Sequence, residues 1–298
     1  MPKLIECIPN FSEGRDSGLV SALVAVAKSV PGVTLLDYSS DSSHNRSVFT
    51  LVGDPDGISD AAFLLCKQAM ETIDLTKHTG EHPRMGATDV IPFVPIRDVS
   101  IDECVEISKQ VASRIWEELR IPSILYEYSA TSPGRQNLAA VRKGQFEGMP
   151  EKLLLDEWAP DYGERKVHPT AGIIAIGARP PLVAYNVNLD TSDLEIANAI
   201  AKTIRGSSGG FEFCKAIGVM LEERNIAQVS MNLVNCEGTP IYQVVEAIRE
   251  EASKRGVRVV GSELIGLAPA KALIDCAEYF LQIENFDFEK QVLENHLL

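Results

Sequence analysis

Short apolar runs alternate with segments of helical spacing along this 298-residue chain, and that alternation most limits the folds open to it. Leu4–Pro9 reads as a first strand, and Asn10-Phe11-Ser12-Glu13-Gly14 after it as a loop of turn residues. Asp16–Val30 carries Leu19, Leu23, Val26 and Ala27 at helical intervals and closes at Pro31-Gly32. Val33–Tyr38 and Ser47–Val52 are strands divided by the polar loop Ser39–Arg46, and Pro55–Ile73 is a second helix. The apolar run Val90–Val94 follows a polar loop. Ser100 then caps a helix running to about Leu119, with Glu103 three residues on to complete a capping box, and Ile124–Tyr126 is a short strand.

From about Ser129 to Thr170 the pattern breaks. Pro133, Gly134, Gly144, Gly148, Pro150, Pro160 and Gly163 cut this segment into short helices and loops, and the join between two subdomains is expected here. The domain limits are set at 1–178 and 179–298. Beyond the broken stretch come strands Gly172–Ile176 and Leu182–Asn188, hinged at Gly177–Pro181, then helix Ser192–Ile204. Strands Ala216–Leu221 and Ala227–Leu233, helix Ile241–Lys254, strand Val257–Val260 and helices Ala268–Tyr279 and Phe286–Leu297 complete the chain. The pattern predicts an α+β protein of two subdomains, each a mixed β-sheet covered on one face by helices. The sheets are expected to pack toward each other, with a substrate cleft or tunnel between.

Charge excludes one class of partner. The chain has 28 Lys and Arg against 42 Asp and Glu, a formal net charge of −14, and no dense basic stripe, so no nucleic acid is expected. An anionic ligand would need a cationic pocket set into this acidic protein. No apolar run approaches the ~18 residues that span a bilayer. Met1–Glu6 lacks the apolar stretch of a signal peptide, so a cytoplasmic protein that spans no membrane is expected. Six cysteines stand far apart without a C-x-x-C pair, which argues against a zinc knuckle or redox motif. Cys7, Cys66, Cys214 and Cys276 lie in apolar-patterned segments and read as small hydrophobes.

The stretch richest in chemistry is Lys77-His78-Thr79-Gly80-Glu81-His82-Pro83-Arg84-Met85-Gly86-Ala87-Thr88-Asp89. Gly80 and Pro83 disfavour a continuous helix, which leaves a shaped loop able to hold an imidazole in one orientation. Three readings compete. His78 or His82 serves as a general base, since histidine titrates near neutrality; or the two bind a metal, although the broken helix spoils their common face; or the residues only hydrogen-bond the backbone of a turn.

Taken in order, Pro9-Asn10-Phe11-Ser12-Glu13-Gly14, His44-Asn45-Arg46 and Gly80-Glu81-His82-Pro83-Arg84-Met85-Gly86-Ala87 resemble the glutamate formimidoyltransferase family. So do Trp158-Ala159-Pro160-Asp161-Tyr162-Gly163, Gly177-Ala178-Arg179, Ala227-Gln228-Val229-Ser230-Met231-Asn232 and Val260-Gly261-Ser262-Glu263-Leu264-Ile265-Gly266-Leu267. The resemblance covers essentially the whole chain, and the activity of the cyclodeaminase domain that some animal relatives carry is not expected of it. It implies exchange of a formimidoyl group between N-formimidoyl-L-glutamate and tetrahydrofolate as co-substrate, in histidine degradation and one-carbon metabolism. It further implies no metal and a homodimer.

The family's catalytic histidine falls on His82, a general base and proton shuttle. Its folate-binding segment maps onto Gly163, Glu164, Arg165, Lys166, Val167, His168, Pro169, Thr170, Ala171 and Gly172, where Arg165 and Lys166 suit a folate carboxylate and Glu164 does not. Arg46 and Arg84 are candidates for a glutamate carboxylate, because a guanidinium binds that ion bidentately. Asp37 or Asp41 is a candidate to orient His82. Glycine-rich Arg205–Gly210 lacks the lysine of a phosphate loop and reads as surface. Residue types do not separate N-formimidoylglutamate from N-formylglutamate as donor. A catalytically silent folate-binding protein is the alternative from another class.

Overall fold

Along Arg46–Gly53 every second residue is buried, the period-two signature of a strand with one face on a core. The computed structural model describes residues 3–296. In it the chain forms two units, Met1–Arg179 and Pro180–Leu298.

The first unit runs β1 (Leu4–Cys7), β2 (Asn10–Phe11), α1 (Ser17–Ser29), β3 (Val33–Asp41), β4 (Arg46–Gly53), α2 (Pro55–Thr72) and β5 (Thr88–Arg97). It continues with α3 (Ile101–Leu119), β6 (Ser123–Glu127), α4 (Leu138–Arg142), α5 (Gln145–Lys152) and β7 (Ile174–Ala178). A seven-stranded mixed sheet results. β3 pairs with β4, β1 and β2 both lie between β4 and β5, and β7 runs parallel between β5 and β6.

Local chemistry starts the helices. Asp16 accepts from the Gly18 and Leu19 amides ahead of α1, and Ser100 with Glu103 forms the expected capping box of α3. Leu23, Ile58, Leu65 and Ile115 of these helices pack with Phe11, Phe49, Leu51, Ile91 and Phe93 of the sheet. Residues of the opposite parity, Val90, Ile124, Tyr126 and Ala175, build a smaller core with Val141, Met149 and Leu153. The irregular stretch between β6 and β7 is therefore not a linker, as its prolines and glycines had suggested. It belongs to the first unit and supplies α4 and α5 to the smaller core. β7, expected to hinge with the strand after it, instead completes the first sheet, because its flanks β5 and β6 offer it parallel edges.

The second unit runs β8 (Val183–Leu189), α6 (Leu194–Ile204), β9 (Cys214–Leu221), β10 (Ile226–Leu233), α7 (Ile241–Lys254), β11 (Val259–Ile265), α8 (Ala270–Leu281) and α9 (Phe288–Gln291). Its sheet has the order β11-β8-β10-β9 and is antiparallel throughout, where a mixed sheet was expected. Val187, Val229, Met231 and Leu233 of this sheet pack against Ile200, Ile204, Val244 and Ile248 of α6 and α7. The helix expected over Phe286–Leu297 is only the short α9 followed by a 3₁₀ turn, Leu293–His296; Leu297 lies outside the described residues. Among the described residues no helix is long and apolar enough to cross a membrane.

Candidate active site

Three of the sequence motifs are sewn together at Asn45. This residue takes φ 50°, a left-handed backbone that asparagine tolerates. Its Oδ1 accepts from the Gly14 amide at 2.9 Å, its Nδ2 donates to the Thr79 carbonyl at 3.0 Å, and its own carbonyl meets His78 Nε2 at 3.0 Å. Gly80 follows because a Cβ there would stand 2.4 Å from the His44 carbonyl oxygen. On the other side, Ser12 donates through Oγ to the Gly86 carbonyl at 2.7 Å and through its amide to the Ala87 carbonyl at 2.9 Å. The loop bearing His82 is thus held at both ends.

His82 is half-buried, and its Nδ1 lies 3.0 Å from Arg46 Nη1. Arg46 is the first residue of β4. Its Nε and Nη2 both donate to Asn10 Oδ1, at 3.1 and 2.6 Å, and its Nη1 also donates to Asp89 Oδ2 at 3.0 Å. Asp89 is fully buried. The β2–β5 register shifts so that Asn10 faces Val90 and Phe11 faces Thr88, leaving Asp89 as the extra residue of a bulge, a device that re-aims a side chain. Asp89 Oδ1 accepts the Met85 amide at 2.9 Å, and Arg142 Nη2 at the end of α4 reaches Oδ2 at 2.6 Å.

The electrostatics follow from this packing. Burial alone would raise the Asp89 carboxyl, but Arg142, Arg46 and the Met85 amide outweigh it and hold it below its ordinary value. Burial, then the positive charges of Arg46 and Arg142, push His82 down to about 4 against a weaker pull from Asp89. At neutral pH His82 is an uncharged imidazole in a cationic pocket. This is the setting that an anionic substrate and a proton-transfer step require.

The other expected residues fare differently. Arg84 is buried, and all its guanidinium nitrogens are engaged within the protein. Nη1 and Nη2 take the two Glu147 oxygens at 2.8 and 2.6 Å, Nε meets His78 Nδ1 at 3.1 Å, and Nη1 also reaches Gln145 Oε1 at 3.1 Å. This geometry pins α5 to the His82 loop and leaves Arg46 the better placed of the two arginines for a carboxylate. Both ring nitrogens of His78 are likewise spent on Asn45 and Arg84. Asp41 meets His44 Nδ1 at 3.1 Å, so the neighbour of the His82 ring nitrogen is a guanidinium and not Asp37 or Asp41.

The stretch Gly163–Gly172 is a loop whose end abuts the His82 segment. Ala171 accepts from the Ala87 amide at 2.9 Å, the Met85 carbonyl accepts from Ile173 at 3.0 Å, and Gly86 bridges Gly172. Gly172 has φ +70°, and a Cβ there would meet the Met85 oxygen at 2.1 Å. His168 Nδ1 accepts the Ala171 amide at 3.0 Å. Arg165 donates to the Leu154 carbonyl at 3.0 Å and to Asp156 at 2.7 Å, and both Arg165 and Lys166 are exposed. Behind this loop, Asp161 anchors Arg135 at 2.8 Å and the Leu125 amide at 2.7 Å. In the second unit the last two motifs meet: Gln228 Nε2 donates to Asn188 Oδ1 at 2.7 Å, and Asn188 Nδ2 to Glu263 Oε1 at 3.2 Å.

Asp89 and Arg142 are the site residues that sequence reasoning missed. Asp89 closes the histidine-rich stretch and could have been found there; Arg142 lies in the segment taken for a join and carried no signal. Among the described residues no group of three or more His, Cys, Asp or Glu could hold a metal ion. Burial pushes the Cys66 thiol up to about 12 and the Cys214 thiol up to about 11, leaving both protonated and poorly nucleophilic at neutral pH.

Comparison with known proteins places the chain in a family. Residues 4–179 match the model of the formiminotransferase domain, N-terminal subdomain, and residues 184–296 that of the formiminotransferase domain. The chain is 70% identical over 298 residues to a glutamate formimidoyltransferase of Streptococcus pyogenes serotype M1, covering 100% of both chains. It is 47% identical to a glutamate formimidoyltransferase of Thermoplasma acidophilum, covering 99% of this chain and 97% of that protein. It is 43% identical to the formimidoyltransferase-cyclodeaminase of Rattus norvegicus, covering 95% of this chain but 53% of that longer protein. With both family models matched in order across nearly its whole length, the chain belongs to the formiminotransferase family.

Proposed function

We propose that the protein is a folate-dependent transferase that moves the formimidoyl group between N-formimidoyl-L-glutamate and tetrahydrofolate, with His82 shuttling the proton. The observation that carries this reading is an uncharged imidazole held beside two guanidinium groups on a buried carboxylate, in a chain 70% identical over its full length to a glutamate formimidoyltransferase.

The chemistry balances on one side chain. Attack of a folate ring nitrogen on the formimidoyl carbon forms a C–N bond and leaves a tetrahedral carbon between two nitrogens. The attacking nitrogen must lose a proton, and the glutamate nitrogen must gain one before its bond to that carbon breaks. His82 takes the first proton and returns it to the second, so no net proton and no covalent enzyme intermediate is involved. Arg46 binds a glutamate carboxylate, and Gly163–Gly172, lying against the His82 segment, receives tetrahydrofolate. Arg84 serves by fixing the loop. Subdomain limits of 1–178 and 179–298, a homodimer and a cytoplasmic setting belong to the same reading.

The test is steady-state turnover of tetrahydrofolate with N-formimidoylglutamate and, separately, N-formylglutamate. His82→Ala should lower kcat by about 10²–10⁴-fold while tetrahydrofolate still binds. A variant as active as the wild type would remove His82 from the mechanism. Tetrahydrofolate binding without turnover of either donor would leave a folate-binding protein.

A further inference from the structure

Arg46 Nη1 faces His82 Nδ1 at 3.0 Å, and a guanidinium has hydrogens to give but no lone pair to offer. Nδ1 is therefore the acceptor, and the proton of the neutral ring sits on Nε2. In that state the ring can donate a hydrogen bond through Nε2–H but cannot take a proton, because its one lone pair is occupied by Arg46. A shuttle must take one. The block has to be lifted during turnover.

The means lie on the far side of Arg46. A single oxygen, Asp89 Oδ2, accepts from Arg46 Nη1 at 3.0 Å and from Arg142 Nη2 at 2.6 Å. One negative charge thus serves two positive ones, and Arg142 Nε is buried with no hydrogen-bond partner. Buried donors of this kind need acceptors. The pocket has an excess of positive charge and an unmet N–H, which a carboxylate satisfies through paired N–H···O bonds. Asn10 holds Nε and Nη2 of Arg46, so Nη1 is the end that can change partner. The backbone of Pro83 also acts on the ring, favouring its charged form, and the His44 ring lies edge-on with its centroid 6.3 Å away.

Building on the transfer reaction above, we propose that Arg142 joins Arg46 in binding a carboxylate of the glutamyl donor, and that this binding draws Arg46 Nη1 off His82 Nδ1 and so enables the ring to accept a proton. The donor then completes the base that acts on it. Arg142 is a binding residue, Arg46 both a binding and a positioning residue, and Asp89 the fixed anchor of the two. Carboxylate binding also cancels the positive charge that, after burial, holds the free ring at about 4.

The experiment is an NMR pH titration of the His82 ring, assigned by its absence in His82→Ala, with and without saturating L-glutamate. The titration itself is run on wild-type protein, and His82→Ala serves only to assign the signal. Glutamate should raise the His82 midpoint by more than about one pH unit. In turnover, Arg142→Gln should raise KM for N-formimidoylglutamate about tenfold to a hundredfold with the tetrahydrofolate KM nearly unchanged, and Arg142→Lys should recover part of the loss. An active enzyme whose His82 midpoint ignores glutamate overturns the inference alone, as does an Arg142→Gln variant with an unaltered glutamyl KM. Wild-type protein that turns over neither donor overturns the transfer reaction, and this inference with it.

Discussion

His82 answers two demands that pull apart. To act as a base near neutrality it must be unprotonated, and its burial beside Arg46 and Arg142 secures that by holding it down to about 4. To act well it must also want the proton, and a base that weak wants it little. The pH profile separates the two states. A base loses activity as pH falls through its midpoint, and kcat/KM reports the free enzyme while kcat reports the loaded one. The acid limb of kcat/KM for the glutamyl donor should therefore lie near about 4, and that of kcat higher by more than about one pH unit. Initial rates across the acid range, with tetrahydrofolate saturating, measure both limbs. Coincident limbs would mean that substrate does not retune the ring.

At the scale of elements, the site depends on α4, a single short helix that places Arg142 at its last position. Its end is clamped by Lys152 at the end of α5. The Lys152 ammonium donates to the carbonyls of Ala140 at 2.6 Å, Val141 at 2.7 Å and Lys143 at 3.1 Å, and sits 3.9 Å from the centre of the Trp158 ring. A positive charge on the last carbonyls of a helix satisfies acceptors the helix cannot. Burial brings this lysine down to about 8, still largely protonated at neutral pH. Lys152→Met keeps the length of the side chain and removes all three bonds. It should cost about 1–3 kcal/mol in a denaturant titration. It should also raise KM for the glutamyl donor more than for tetrahydrofolate, through the loosened Arg142. A change in stability with both KM values unmoved would show that the clamp does not position Arg142.

For the molecule as a whole, the helix-side cores of the two units are built from different residues: Leu23, Phe49 and Ile115 in the first, Ile200, Val229 and Ile248 in the second. Ile248 is fully buried, and Ile248→Ala should cost about 2–5 kcal/mol through lost burial and the cavity left behind. Hydrogen exchange should register that loss across 180–296 and leave the amides of β4 and β5 as protected as in the wild type. Equal loss in both units would show that they unfold together.

Much of this fold is legible in the sequence, because helices and half-buried strands leave local periods. The limits of α7 follow directly from apolar spacing over Ile241–Lys254, and the Ser100–Glu103 box sets the start of α3. Legibility fails where one residue type overrides the period. Gly261, Ser262 and Glu263 are poor strand formers, so β11 reads as ending at Val260 although pairing with β8 carries it to Ile265. Of the site, the histidine loop and the resemblance pointing to His82 are legible without a structure, since both are written in consecutive residues. Tertiary structure alone decided what surrounds that ring. A bulge turns Asp89 inward, a stretch broken by proline and glycine brings Arg142 to the same oxygen, and Arg84 is drawn away to Glu147. These are long-range pairings of charges, set by which side chains the packed sheet leaves beside one another, and no local period records them.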